Sequence, residues 1–155
     1  MKTAEKTDYT TTILVGRSPA EVFDAIADVG NWWTRSFKGN ARNVDDTFSV
    51  TFGTTSVDFK ITESNPGNRV TWLVTDCHLP WLADQKEWKD TQVTWQITGA
   101  GDATEIVMSH LGLVPEVECF ESCEKGWNFF VKKSLYQLLS ENKGLPDQPP
   151  ALRDE

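Results

Sequence analysis

The sequence predicts an α+β fold in which an antiparallel sheet packs against a long C-terminal helix. Five consecutive stretches between residues 48 and 108 alternate apolar and polar residues, and turn-forming Gly, Asn and Pro residues separate them. A short helix precedes these stretches, and a long amphipathic segment follows them. Consecutive short strands joined by tight turns form an antiparallel meander, and the apolar face of the long helix has to be buried against it.

The chain begins with a predicted strand and a well-marked short helix. Residues 9–15 (YTTTILV) are rich in the β-branched residues that favour strands. In the following SPAEVFDAI, Ser18 is placed to cap the helix, Pro19 takes the first helical position and Glu21 completes a capping box. A tryptophan pair follows the predicted end of this helix. The helix face that we expect to be buried consists of Val22, Phe23 and Ile26.

Each of the five alternating stretches has one apolar face, as expected of strands in a sheet that is buried on one side. All five apolar faces should therefore line the same interior. The residues on these faces are Phe48, Val50 and Phe52, then Val57, Phe59 and Ile61, then Val70, Trp72 and Val74, then Val93, Trp95 and Ile97, and finally Ile106 and Met108.

The last predicted element is a helix from Pro115 to Lys143. Proline is favoured at the start of a helix, Glu116 and Glu118 suit its first turn, and Lys143 followed by Gly144 suits its end. At ~1.5 Å per residue such a helix is about 40 Å long. Its apolar face, at three- and four-residue spacing, consists of Phe120, Cys123, Trp127, Phe130, Val131, Ser134, Leu135 and Leu138.

Length and composition indicate one domain and exclude several function classes. A chain of 155 residues can bury a single core, which we expect over residues 8–143. Residues 1–7 and the Pro-rich tail, residues 144–155, are predicted to be flexible because they contain little to bury. The net charge is −8 and the fifteen Lys and Arg residues are scattered. This pattern argues against a nucleic acid partner.

The expected location is the cytoplasm. No window approaches the ~20 consecutive apolar residues of a membrane span, and the N-terminus lacks the apolar core of a secretory signal. The three cysteines, Cys77, Cys119 and Cys123, form an odd set rather than a disulfide framework. Reduced thiols in a reducing compartment fit them best.

Four motifs, taken in order, resemble a known superfamily. They are Ser18-Pro19 with Val22-Phe23, the pair Trp32-Trp33, the strand TEIVMSHLGL at residues 104–113, and Gly126-Trp127. This arrangement resembles the START-like (SRPBCC) superfamily of helix-grip proteins, and within it the Activator of Hsp90 ATPase homologue 1-like C-terminal domains. The resemblance implies a curved antiparallel sheet of about six or seven strands wrapped around the C-terminal helix, with short helices after the first strand. It also implies an apolar cavity between sheet and helix.

The tryptophans are the main candidates for lining that cavity. Trp72, Trp95 and Trp127 come from two strands and the long helix, and their faces should converge. Rings with a polar N–H group suit a pocket that orients an aromatic ligand. They would equally suit a solid core, and the sequence leaves both interpretations open. The candidate ligand-binding residues are Trp32, Trp33, Trp72, Trp95, Met108, His110, Trp127 and Phe130.

His110 is the most informative titratable residue. Alternation places it on the same face as Ile106 and Met108, so it should point inward. It can hydrogen-bond a ligand, act as an acid or base, or simply be satisfied by a neighbour such as Glu124. If the protein is an enzyme, the candidate catalytic residues are His110, Asp76 and Glu124, since Asp76 shares the apolar face of its strand.

No metal or cofactor is expected. Cys119 and Cys123 are four residues apart, but no CxxC or HxxxH element accompanies them. The GAGD sequence belongs to a hairpin, and no P-loop, dinucleotide-binding pattern or nucleophile elbow is present.

The loop HLPWLADQKEWKDT, residues 78–91, is too long and too apolar for a plain hairpin turn. Such a loop can act as a lid over a binding site, or it can form a hydrophobic contact with another subunit and thus a homodimer. The lid residues would be Leu79, Trp81, Leu82 and Trp88.

Three functions follow from these observations. The first is binding of a small apolar or aromatic molecule between sheet and helix, without a fixed catalytic set. The second, implied by the resemblance, is a cyclase-, lyase- or hydrolase-type enzyme that uses the same cavity. The third is a chaperone- or partner-binding module, which the resemblance to Hsp90 activators implies.

Overall fold

The structure is a computed structural model that describes residues 8–52, 54–65, 67–80, 82–83, 85–114 and 120–146. Trp81, Cys119, the predicted first turn of the long helix and most of the two predicted flexible ends lie outside these residues. The strands are β1 (Tyr9–Val15), β2 (Phe37–Gly39), β3 (Thr47–Phe52), β4 (Thr55–Asn65), β5 (Arg69–His78), β6 (Gln92–Ala100) and β7 (Ala103–Leu111). The helices are α1 (Pro19–Ala27), α2 (Phe120–Phe129) and α3 (Tyr136–Glu141), with a 3₁₀ turn at Val29–Asn31 and a π-helical segment at Phe130–Leu135.

The described strands form one curved antiparallel sheet in the order β1-β7-β6-β5-β4-β3-β2. β2 to β7 form a meander, and β1 closes the sheet by pairing with β7, from Tyr9 opposite His110 to Val15 opposite Thr104. The predicted α+β fold with a curved sheet and a long C-terminal helix is confirmed. The apolar strand faces predicted from alternation are buried at every position whose side chain is described. Among these predicted residues, the side chain of Phe52 is not described.

Two β-bulges interrupt the pairing of β4 with β5. One lies where Phe59 pairs with Val74 but Asp58 pairs with Asp76, so that Thr75 is the extra residue. The other leaves Thr62 without a partner on β5. A bulge shifts the side-chain alternation of its strand by one residue. Beyond Thr75, therefore, Cys77 faces the interior and Asp76 does not.

The capping box at the N-terminus of α1 forms as predicted. The Ser18 hydroxyl accepts a hydrogen bond from the Glu21 amide at 3.2 Å, and Glu21 accepts one from the Ser18 amide at 3.0 Å. The helix ends at Ala27, three residues before Gly30, and the 3₁₀ turn follows it. Its buried face is Val22, Phe23 and Ile26, as the sequence predicted.

The C-terminal helix, residues 120–141, consists of α2, the π-helical segment and α3, and its apolar face lies on the sheet. It ends at Asn142, which has a left-handed backbone with φ of 63°, rather than at the predicted Lys143. Asparagine tolerates this conformation and so provides the end signal that we assigned to Gly144. No helix in the described part of the chain is both long and apolar enough to cross a bilayer.

The chain stays packed after this helix. The Ser134 hydroxyl donates to the Trp32 carbonyl at 2.6 Å and accepts from the Leu145 amide at 2.7 Å. Ser134 is fully buried, and Pro146 is also buried. One hydroxyl group thus joins the helix, the tryptophan loop and residues 144–146, which we had assigned to the tail.

Candidate functional site

A continuous cluster of aromatic rings occupies the space between the sheet and the C-terminal helix. Neighbouring ring centroids lie 4.8–6.4 Å apart, which is the range of favourable aromatic contacts. Trp33 is central, because it contacts rings on the sheet and on the helix. We call this set the aromatic cluster, and its members are Trp32, Trp33, Phe48, Phe59, Trp72, Trp88, Trp95, Trp127 and Phe130.

The tryptophan pair enters the cluster from the loop after the 3₁₀ turn. Trp32 is fully buried, and its indole N–H donates to the Ile26 carbonyl at 3.3 Å. Trp33 is 3% exposed and stacks on Trp72, with centroids 6.3 Å apart and an interplanar angle of 8°. Both rings therefore face the interior. Met108 is also fully buried, and it pairs with Trp95 across β7 and β6.

The space left by these rings is very small. A cavity of about 20 Å³ lies between Trp33, Trp88, Cys123, Gly126, Trp127 and Phe130. About 10–15 Å³ is enough for one water molecule, whereas pockets for drug-sized ligands measure about 300–1,000 Å³. In this conformation the aromatic rings fill the interior, and the cavity can hold little more than one water.

Two indole groups in the cluster have no hydrogen-bond partner. Trp72 and Trp95 are fully buried, and their Nε1 atoms contact no acceptor among the described residues. Their ring centroids are 5.3 Å apart. A buried donor left unpaired costs about 1–3 kcal/mol, so such atoms in a native core need an explanation.

His110 is satisfied on both ring nitrogens. The Trp127 indole N–H donates to Nδ1 at 3.0 Å, and Nε2 lies 2.8 Å from the Thr91 hydroxyl. An indole can only donate, so Nδ1 must be the unprotonated acceptor and the proton of the neutral ring must be on Nε2. The Thr91 hydroxyl then accepts from His110 and donates to the Trp88 carbonyl at 2.6 Å. Every proton in this chain of hydrogen bonds has one consistent position.

Burial keeps this histidine neutral. His110 is fully buried, and desolvation lowers its pKa from 6.5 to about 3. The charged form would also lose the bond from Trp127, because both ring nitrogens would then be donors. His110 lies inside the site, as predicted, but neither of its nitrogens is available to accept a proton at neutral pH.

The other two candidate catalytic residues do not join His110. The bulge at Thr75 turns Asp76 to the outer face, where it pairs with Lys86 at 3.0 Å. Hydrogen bonding to Lys86 lowers the pKa of Asp76. The prediction that Asp76 points inward was wrong, because simple alternation does not anticipate the extra residue of a bulge. Glu124 is half-buried, and its negative charge helps to raise the pKa of Tyr9.

Tyr9 forms a polar contact at the edge of the site that sequence reasoning missed. Its hydroxyl donates to the Asn128 side-chain oxygen at 2.6 Å, which joins β1 to α2. Burial raises the pKa of Tyr9 to about 12, and the nearby Glu124 acts in the same direction. The phenol is therefore a hydrogen-bond donor, and remains protonated at any physiological pH.

The loop of residues 79–91 connects β5 to β6 and is described except at positions 81 and 84. We call it the lid segment after the role that the sequence predicts for it. Leu79, Leu82 and Trp88 are buried. The Trp88 ring stacks on Trp127 at 6.0 Å and meets His110 edge-on at 4.6 Å. The segment is tied to β5 at its end, where Val74 exchanges backbone hydrogen bonds with Asp90 and Thr91 at 2.9 Å.

Two cysteines differ in state. Cys77 is a free, buried thiol, and burial raises its pKa. Cys123 lines the cavity and is disulfide-bonded, so the expectation that every cysteine is a reduced thiol was wrong. The described residues contain no cluster of three or more metal-ligating side chains.

Thr91 and Ser134 are site residues that the sequence did not indicate. The side-chain hydroxyl of each forms hydrogen bonds between distant parts of the chain, and neither residue belongs to a recognisable motif. The weak signal for Ser134 was its place in the apolar face of the long helix, where a polar residue needs a partner. Thr91 gave no signal, because it lies in the loop before β6 and its partner His110 lies on β7.

A curved antiparallel sheet around a C-terminal helix, with an aromatic-lined interior, defines a helix-grip protein of the START-like class. The family described as Activator of Hsp90 ATPase homolog 1-like protein matches residues 17–140. The chain belongs to this family. No curated protein matches the sequence significantly.

Solved structures support the same fold. One is the solution structure of the Aha1 dimer from Colwellia psychrerythraea, with a TM-score of 0.73 and 22% identity, covering 89% of this chain and 99% of that one. Another is DynU16, described as a putative protein in the dynemicin biosynthetic locus, with a TM-score of 0.63 and 20% identity. The match covers 87% of this chain and 48% of that one. A third is CalU16 from Micromonospora echinospora, with a TM-score of 0.60 and 17% identity. The match covers 82% of this chain and 73% of that one. At these identities the likeness shows the fold alone.

Proposed function

We propose that this protein binds a small, mostly apolar or aromatic molecule between the sheet and the C-terminal helix, without a fixed catalytic set. The observation that carries the proposal is the cavity between Trp33, Trp88, Trp127 and Phe130, on the side of the aromatic cluster next to the C-terminal helix and the lid segment. Rings from a loop, the lid segment and the helix meet there. A ligand would take the space that one or more of these rings occupies in the closed form.

Two features of the surrounding chain support an opening of this site. The π-helical segment begins at Phe130, a cavity residue, and π-helical turns are frequent at functional sites. The lid segment contributes Trp88 to the cavity wall, although it is a loop between two strands. Displacement of Trp88 would enlarge the cavity without breaking any strand pairing. We therefore infer that Leu79, Leu82 and Trp88 act as a lid. The fourth residue of the predicted lid, Trp81, lies outside the described residues.

The proposal is tested first by native mass spectrometry of gently purified protein, followed by titration with fluorene while tryptophan emission is monitored. A retained small molecule, or saturable quenching together with thermal stabilisation, supports binding. A clean apo mass together with unsaturable quenching by fluorene and by its ketone, 9-fluorenone, would contradict it. Free N-acetyltryptophanamide serves as the control for non-specific quenching.

The enzymatic alternative receives less support. Its acid/base residue, His110, has both nitrogens engaged and a pKa lowered by burial, while Asp76 lies on the opposite face of the sheet. A catalytic role would require the hydrogen-bonded chain at His110 to rearrange when substrate enters.

A protein partner is the second candidate function, and family membership favours it. The family description names an activator of the Hsp90 ATPase, and the C. psychrerythraea relative is a dimer. We propose on this basis that the protein can form a homodimer or contact a chaperone. Sedimentation velocity at several concentrations tests the first, and the ATPase rate of purified Hsp90 with and without the protein tests the second. A concentration-independent monomer and an unchanged ATPase rate would contradict these two proposals.

A further inference from the structure

We infer that the ligand of the aromatic cluster is an uncharged molecule that carries a hydrogen-bond acceptor, such as the carbonyl oxygen of an aromatic ketone or quinone, which the Trp72 and Trp95 indoles recognise. This inference rests on the proposed function and specifies the chemistry of its ligand. It depends on which polar atoms of the core remain unpaired.

The unpaired atoms are all donors. Among the buried side-chain nitrogens and oxygens of the described residues, only Trp72 Nε1 and Trp95 Nε1 lack a hydrogen-bond partner. The indole of Trp32 donates to a backbone carbonyl, and that of Trp127 donates to His110. A ligand can therefore gain hydrogen bonds in this core by accepting them, whereas a ligand donor would find no unpaired side-chain acceptor there.

The two donors lie behind the cavity wall that Trp33 forms. Trp33 lines the cavity, and its ring stacks on Trp72, which in turn contacts Trp95 edge-on. A planar ligand that takes the place of the Trp33 ring would thus contact the Trp72 ring directly and come within one ring of Trp95. Their position in neighbouring strands β5 and β6 keeps the two rings together.

The electrostatic environment favours an uncharged ligand. The buried polar side chains of the described core are threonines, one serine and neutral His110, and none of them carries a charge. An ionised ligand would lose its hydration and find no buried counter-charge in this part of the chain. The net charge of −8 further disfavours an anion.

The test compares two probes of nearly the same shape, 9-fluorenone and fluorene, which differ in having a carbonyl or a methylene at the same position. We expect wild-type protein to bind fluorenone about three- to tenfold more tightly than fluorene, because one net hydrogen bond has about that effect. A second pair, 9-oxofluorene-2-carboxamide and the corresponding carboxylate, tests charge. The uncharged amide should bind more tightly.

The indoles are tested by Trp72→Phe and Trp95→Phe, which remove the N–H group and keep an aromatic ring. Each variant should lower the fluorenone-to-fluorene affinity ratio toward one, and the double variant should abolish the preference. Trp32→Phe is the matched control, because its indole is already paired with Ile26. It should leave the ratio unchanged, whatever its effect on the two individual affinities.

The outcomes separate the two proposals. If fluorene and fluorenone bind equally to wild-type protein, the inferred ligand chemistry is overturned while the binding function stands, and the indoles are satisfied by the aromatic faces around them. Unchanged ratios in the folded Trp72 and Trp95 variants would also overturn it. If neither probe binds, this inference is overturned, and if the purified protein also has a clean apo mass, the proposed function fails with it. The wild-type comparison requires no variant to fold.

Discussion

At the scale of single residues, a few polar groups organise an interior that is otherwise apolar. His110, Thr91 and Ser134 each connect parts of the chain that are distant in sequence. Because His110 and Ser134 are fully buried and Thr91 is half-buried, their hydrogen bonds disfavour alternative packings. These residues hold the aromatic cluster, the lid segment and the helix in one arrangement.

The pH dependence of folding should report on His110. Its pKa is about 3 when folded and near 6.5 when unfolded. Between these values the unfolded chain binds the additional proton, so the contribution to stability is complete above pH 6.5 and falls as the pH decreases toward 3. Urea unfolding at pH 7 and pH 5 should show a loss of about 2 kcal/mol from this residue.

The control for that prediction is His110→Gln, in which the carboxylates still titrate but the imidazole is absent. The variant should lose less stability than wild type between pH 7 and pH 5. An equal loss in both proteins would mean that His110 is accessible to protons when folded. Nitrogen chemical shifts of the imidazole give an independent check, since the proton should be found on Nε2 at pH 7.

Ser134→Ala should destabilise the protein by about 1–3 kcal/mol, because it leaves the Leu145 amide without its acceptor and removes the bond to Trp32. The measurement is the free energy of unfolding in urea. Ser140→Ala is the control: this serine lies on the exposed side of the same helix, and its replacement should change stability by less than about 0.5 kcal/mol. Equal effects at both positions would contradict the role of Ser134.

At the scale of elements, the site depends on irregular pieces of structure. The bulge in β5, the π-helical segment and the lid segment all depart from regular geometry, and the last two contribute residues to the cavity wall. The regular strands provide the apolar faces against which these pieces pack. Any motion that enlarges the cavity should therefore begin in the lid segment or the π-helical segment.

Gly126→Ala should separate ligand binding from stability. Alanine in place of a helical glycine stabilises a helix by about 1 kcal/mol, but the added methyl group would enter a cavity that Gly126 lines. We expect a higher melting temperature together with weaker fluorene binding. Lys125→Ala, on the exposed side of the same helix, should leave binding unchanged. Unchanged binding by the Gly126 variant would place the ligand elsewhere.

The elements could largely be predicted from the sequence, but the details of the site could not. Alternation and capping identified the inward faces of the strands and the start of α1, since these signals are local. The direction of Asp76 depended on a bulge, and the partner of His110 came from the lid segment. Periodicity contains no information about either. Nor does it indicate whether Trp33 and Trp127 enclose a space or fill it, because ring orientations decide that.

At the scale of the whole molecule, the aromatic cluster is the centre of one core. Buried residues of β1, β3 to β7, α1 and the C-terminal helix all belong to this core, so a ligand bound in the cluster would stabilise the entire fold rather than one element. The family match covers nearly the same residues as this core. Stability of the whole protein is therefore a direct measure of occupancy.

Saturating ligand should consequently raise the melting temperature of the protein. At a free fluorenone concentration of about 100 times Kd the stabilisation is about 2.7 kcal/mol. For a chain of this size that corresponds to an increase of about 5–10 °C. Differential scanning calorimetry provides the measurement, and circular dichroism should follow the same transition. A shift confined to tryptophan emission, without a change in the calorimetric midpoint, would indicate surface adsorption.

The small size of the cavity also has a consequence for rates. A protein whose interior holds about one water molecule cannot admit an aromatic molecule by diffusion alone, because it must open first. The observed association rate should then level off at high ligand concentration, at the rate of opening, and the apparent Kd should be weakened by the fraction of time spent closed. Trp88, stacked on Trp127, would thus determine how quickly the site fills as well as what it holds.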